Sequence, residues 1–141
     1  MPMVFREPLT PMKMTLRSFF AALLLALPHA AGATDLSDAD KTFLAGYEKV
    51  RAALAANQFD AAKSAASELG EEGATLAKSD KLEAARAEFT KLSERAVQLG
   101  SGKEGFYVVR CPMLRKEWLQ PQGKISNPYD AAMPECGVIK K

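Results

Sequence analysis

Histidine is nearly absent from this chain of 141 residues, which holds only His29. That residue lies in an N-terminal segment that reads as removable, so the remainder carries no imidazole. The commonest general base and metal ligand is therefore missing. Ser-His-Asp and Cys-His catalytic arrangements are excluded within one chain, as are imidazole-type zinc and Cu(II) sites. Cysteine is almost as scarce. Cys111 and Cys136 are the only two and form no Cys-x-x-Cys pair, which excludes a disulfide-dense scaffold. No glycine-rich phosphate loop or EF-hand loop is present. An excess of one charge sign is also lacking. Taking Arg6, Lys13 and Arg17 from 19 basic residues, and Glu7 from 17 acidic ones, leaves 16 of each beyond residue 33. That balance removes the electrostatic basis for a nucleic-acid partner.

The N-terminal segment has the order of a secretory signal peptide. Basic residues up to Arg17 precede the apolar run Phe19–Leu27, then Pro28, then the small-x-small pattern Ala31-Gly32-Ala33. The run is about half of the roughly 20 residues that span a bilayer, so no stable membrane anchor is expected. Cleavage is expected after Ala33, with Met12 or Met14 as alternative starts. The expected product is an exported, periplasmic chain beginning at residue 34.

Two compositional halves make up that chain, a helical bundle at 34–102 and a tail at 103–141. Residues 34–100 contain no proline, and their apolar residues recur at helical steps. A first helix has Ser37 as N-cap, carries Leu44, Tyr47, Val50, Arg51 and Leu54, and ends at Asn57. The second starts at Phe59 or Asp60 with Ala62, Ala66 and Leu69 on its stripe; Gly70 and Gly73 weaken its continuation to Leu76. A third comes after a cap at Ser79 or Asp80, with Leu82, Ala85, Phe89, Leu92 and Val97, and stops at Gly100 and Gly102. The fold class expected is mainly α: a small antiparallel three-helix bundle, or four-helix if the second helix is divided.

The tail holds all four remaining prolines, at 112, 121, 128 and 134, and one extended segment is expected, Phe106 to Val109. Loops and turns make up the rest. The tail is too short to bury a core of its own and is expected to pack on the bundle.

Sulfur carries the sharpest chemical signal. Beyond the leader it falls into two mixed pairs, Cys111 with Met113 and Met133 with Cys136. In an extended segment, residues two apart share a face. Around one helical turn, residues three apart do so as well. Thiolate and thioether ligands together select Cu(I) or Ag(I) over harder ions. Pro112 and Pro134 would restrict the backbone beside each ligand. The alternative is a Cys111–Cys136 disulfide, the simplest state of two cysteines in an oxidising compartment. Met113 and Met133 would then be ordinary apolar filler.

Other residues read more plainly. Trp118 serves either as a core plug or as a binding platform. Asn127-Pro128-Tyr129 marks a turn with Tyr129 packing back. Asp38, Asp40, Glu71 and Glu72 read as helix-end or solvated charge, and Arg86 to Glu94 as surface.

Together these tail residues, FYVVRCPM, WLQ and ISNPYDAAMPECGVI, resemble a domain of unknown function found in exported bacterial proteins. That domain also occurs fused to periplasmic adaptor subunits of copper/silver efflux systems. The resemblance rests on Cys111-Pro112-Met113, Trp118-Leu119, Asn127-Pro128-Tyr129 and Met133-x-x-Cys136-Gly137. Upstream, Arg86-x-x-Phe89-x-x-Leu92-Ser93 looks like the family's helix. Asp130, Ala131 and Leu114 depart from the pattern, which puts the shape of the turns in doubt but removes no sulfur. The resemblance implies copper handling and an efflux adaptor or another copper-handling protein as partner. The resulting expectation is a non-enzymatic exported protein that binds Cu(I) or Ag(I) through Cys111, Met113, Met133 and Cys136 and buffers or passes it on. Its alternative is a structural or interaction module of an envelope or efflux complex, pinned by the disulfide.

Overall fold

The computed structural model describes residues 35–140; the leader and its cleavage point lie outside these residues. Helix α1 spans Asp38–Ala55 and starts where expected, with the Ser37 hydroxyl accepting from the Asp40 amide at 3.1 Å. Its last turn gives way to Asn57 at φ 57°, a left-handed residue that ends the helix. Helix α2 covers Phe59–Glu68. Gly70, at φ 61°, then breaks the run into a 3₁₀ turn at Gly70–Glu72 and a short α3 at Ala74–Ala77. The last helix, α4, runs Leu82–Gly100. Its N-cap position is Lys81, which has no side-chain cap, not Ser79 or Asp80. The Ser79 hydroxyl instead turns back to the Thr75 carbonyl of α3.

One hydrophobic core joins these helices. Phe43, Leu44, Tyr47, Val50 and Leu54 of α1 meet Ala62 and Ala66 of α2, Leu76 of α3, and Ala85, Phe89, Leu92 and Ala96 of α4. Arg95 of α4 adds a cross-helix staple. Its guanidinium stacks 4.2 Å from the Phe43 ring centroid and pairs with Asp40 and Glu72, so these carboxylates are bridging rather than merely solvated.

The tail departs from the expected single extended segment. It forms an antiparallel sheet of order β2-β1-β3, with β1 at Phe106–Cys111, β2 at Lys116–Pro121 and β3 at Val138–Ile139. Alternation divides the β1–β2 hairpin between two layers. Val108 and its partner Leu119 join the helical core, whereas Val109 and its partner Trp118 face away from it. That second face has a small core of its own. Val109, Cys111 and Trp118 are fully buried beneath Ile125, Tyr129 and Cys136. The tail therefore does bury a core, because a sheet with helices on one face needs a cover on the other.

Candidate functional site

The site containing the sulfur residues is built on the hairpin. β1 stops at Cys111, whose partner across the ladder is Lys116, and Pro112 to Arg115 make the turn. Arg115 closes it in the left-handed region at φ 54°. Because the strand ends at Cys111, the rule that residues two apart share a face does not reach Met113. That side chain stands at the turn, 77% exposed, while Cys111 is fully buried. Cys136, twenty-five residues on, forms a disulfide with Cys111 across a Cα–Cα distance of 5.4 Å. Met133 is half-buried and sits one turn before Cys136, whose amide donates to the Met133 carbonyl at 3.1 Å. The structure thus joins the two cysteines covalently and leaves Met113 in solvent. A disulfide sulfur is not a thiolate, so the soft donor set is not assembled in this oxidised form.

The Asn-Pro-Tyr segment ties the tail to the helices. Asn127 is buried, accepts from the Tyr129 amide at 2.9 Å and donates through Nδ2 to the Met133 carbonyl at 2.9 Å. Its own amide donates to the Pro134 carbonyl. The turn expected here is therefore an Asx turn that also clasps the segment leading to Cys136. Two arginines hold it from the helical side. Arg51, clamped bidentately by Glu48, donates to the Ser126 carbonyl at 3.0 Å. Arg86 donates to the Pro128 carbonyl at 3.1 Å and to the Leu54 carbonyl at 3.2 Å, and also reaches Asn57 Oδ1. Arg86 is thus a bridge between three segments, not the solvated surface residue its position suggested.

Trp118 is a plug, fully buried, with its indole N–H donating to Gln120 Oε1 at 3.0 Å. Tyr129 connects the two cores, its ring 6.2 Å from that of Trp118 and 5.5 Å from that of Phe89. Gln120 accepts from the Ser126 amide and donates to the Lys124 carbonyl, closing the loop after β2. Among the described residues no strand pairs with the outer edge of β2, and hydroxyl groups take that role. Tyr47 Oη donates to the Leu119 carbonyl at 2.9 Å and accepts from the Leu119 amide at 3.1 Å. Ser93 Oγ donates to the Glu117 carbonyl at 2.8 Å. Burial raises the Tyr47 phenol above its ordinary pKa, against the opposing effect of its Ser93 and Leu119 contacts. Tyr129 is raised for the same reason.

Four of these roles escaped sequence reasoning: Tyr47, Ser93 and Gln120 as backbone partners, and Arg86 as a bridge. A hydroxyl on an otherwise apolar helical stripe, as at Tyr47 and Ser93, was the available signal. Among the described residues no group of three or more His, Cys, Asp or Glu could hold a metal ion, and no helix is long and apolar enough to cross a membrane. No protein-family model, curated protein or solved structure matches the chain.

Proposed function

We propose that the chain is a non-catalytic module of the bacterial envelope that presents a disulfide-braced surface to a protein partner. The observation that carries this reading is the employment of the marked tail residues. Cys111, Cys136, Trp118, Asn127, Pro128 and Tyr129 all hold the tail on the sheet and helices. Among the described residues every buried side-chain nitrogen and oxygen has a hydrogen-bond partner. The hairpin turn faces outward, with Pro112, Met113 and Arg115 exposed. Met113 is exposed there on a turn braced from behind by the disulfide, and a thioether chain adapts readily to a partner surface. The tail's resemblance to efflux-associated domains supports a periplasmic adaptor of a copper-exporting system as that partner. Titration of the oxidised chain against such an adaptor by calorimetry tests the reading. A saturable complex weakened at least about tenfold by Met113→Asp is expected. No complex, or one indifferent to that substitution, refutes it.

A second reading is Cu(I) or Ag(I) capture after reduction. Two features favour it: the 5.4 Å Cα separation of the cysteines and the turn that sets Met133 beside Cys136. Copper would be cargo here, passed by thiolate exchange. Anaerobic Cu(I) titration of the reduced chain against a competing chelator decides it. One-to-one binding that vanishes in Cys111→Ser and in Cys136→Ser supports this reading, and affinity unchanged in both variants rejects it.

A further inference from the structure

The two cysteines of the disulfide sit in unequal surroundings. Cys111 ends β1 and is fully buried with Val109 and Trp118. Cys136 is half-buried and comes directly after Pro134 and Glu135, both exposed. Thiol–disulfide exchange begins with a thiolate striking one sulfur along the S–S axis, so access decides which sulfur is struck. We propose that Cys136 is a thiol-exchange site, the sulfur through which an external dithiol opens this bond in the folded protein. The thiolate bonds to Cys136 Sγ, the Cys111–Cys136 bond breaks, and Cys111 leaves as a thiolate that takes up a proton. The second thiol of the attacking dithiol then displaces Cys136, which leaves as a thiolate and is protonated in turn. The chain gains two electrons and two protons, and the dithiol becomes a disulfide.

Reduction at this site divides the tail in two. The segment before Cys136 is fastened independently of the bond: Ser126 to Arg51, Pro128 to Arg86, Tyr129 between Phe89 and Trp118. The segment after Cys136 has much less. Gly137 rests on Val109 and Trp118, β3 has two residues, the Lys140 amide donates to the Val108 carbonyl, and the Lys140–Glu117 ion pair is largely solvated. A strand that short is marginal without a covalent tie, and an exposed ion pair adds little. The reduced protein therefore keeps its fold up to the Asn127 turn but releases residues 137–140. That release uncovers the edge of β1 at Val109 and Arg110, where β3 had paired. The inference holds whatever the hairpin turn binds.

Two measurements test it. Native protein is exposed to reduced glutathione, quenched by acid alkylation and mapped by peptide mass spectrometry. The glutathione adduct is expected on Cys136 in at least about tenfold excess over Cys111. An even split, an excess on Cys111, or reduction that occurs only as fast as global unfolding overturns the proposal. Hydrogen exchange on the reduced, alkylated chain supplies the second arm. Loss of protection confined to 137–140 and the facing amides of β1 is expected. Loss that includes Leu119 and Tyr129, or none at all, overturns the division of the tail. Should alkylation perturb the fold, Cys111→Ser and Cys136→Ser replace it. The thiol left in the first variant should then react with a maleimide at least about tenfold faster than that in the second, and equal rates refute the assignment.

Discussion

Replacing Tyr47 with phenylalanine removes a single oxygen yet should cost about as much as opening a cavity in the core. The ring stays in place, stacked 5.3 Å from Phe89, so little apolar contact changes. The substitution removes the hydroxyl that serves both the amide and the carbonyl of Leu119, a residue with 1% of its surface exposed. Each buried backbone group left without a partner costs about 1–3 kcal/mol, and two are orphaned together, so Tyr47→Phe should lose about 2–6 kcal/mol. Against a typical stability of about 5–15 kcal/mol that is a large fraction. Urea denaturation followed by the fluorescence of Trp118, the single tryptophan, reads the loss directly. Ser93→Ala is the internal comparison. It strips the Glu117 carbonyl of its 2.8 Å donor but leaves the Tyr129 hydroxyl at 3.4 Å, so about 1 kcal/mol is expected. Because Tyr47 Oη and Ser93 Oγ lie 3.4 Å apart, the double variant should fall short of additivity. A Tyr47→Phe loss below about 0.5 kcal/mol with an unchanged denaturant slope would refute the view that hydroxyls close this strand edge.

The same phenol makes stability fall in alkali. Its folded pKa lies above the ordinary 10.0, so its contribution is complete below pH 10 and is lost as pH climbs beyond it. Between about pH 9 and about pH 11 the unmodified protein should lose stability more steeply than Tyr47→Phe; parallel slopes would contradict this. Arg86→Met keeps the aliphatic stem but drops the donors to Pro128 and Leu54, for an expected loss of about 1.5–3 kcal/mol. Arg86→Lys should recover little, because an ammonium cannot reproduce the fork, and full rescue by lysine would show that charge alone mattered. Gly137→Ala places a methyl 2.5 Å from Val109 Cγ1 and 3.0 Å from Ile125 Cγ2, so a loss of about 1–3 kcal/mol is expected in thermal melts. A neutral result would show that the tail shifts away from the sheet at no cost.

Helices were legible because their signals are local. Ser37 with its acidic first turn, the stripe from Leu44 to Leu54, and Gly70 each act within a few residues, and the structure places them as expected. The sheet was not legible in the same way. Trp118, Leu119 and Gln120 are all buried, and so are Val108 and Val109, because the hairpin is covered on both faces. A strand buried on both faces shows no alternation, and KEWLQP reads as loop until its partner is known. The cysteine pairing was legible only as the alternative to a soft-metal site, and the place of Met113 was not legible at all. It depended on where β1 stops, which the chain settles through the turn at Pro112 to Arg115. The duties of Tyr47, Ser93 and Gln120 lie further out of reach, since they are set by which backbone edge the fold brings to each side chain.

Sealing β2 with hydroxyls from α1 and α4 also bears on colloidal behaviour. A neighbouring strand would protect that edge even in a partly unfolded molecule, whereas Tyr47 and Ser93 protect it only while their helices stay docked. An excursion that lifts either helix exposes Glu117 to Gln120 as a template for pairing between molecules, with Lys116 and Pro121 at its ends as the local gatekeepers. Resistance to aggregation under heat or mild denaturant should therefore track the docking of α1 and α4, and variants that loosen those helices should precipitate before the hairpin itself has melted.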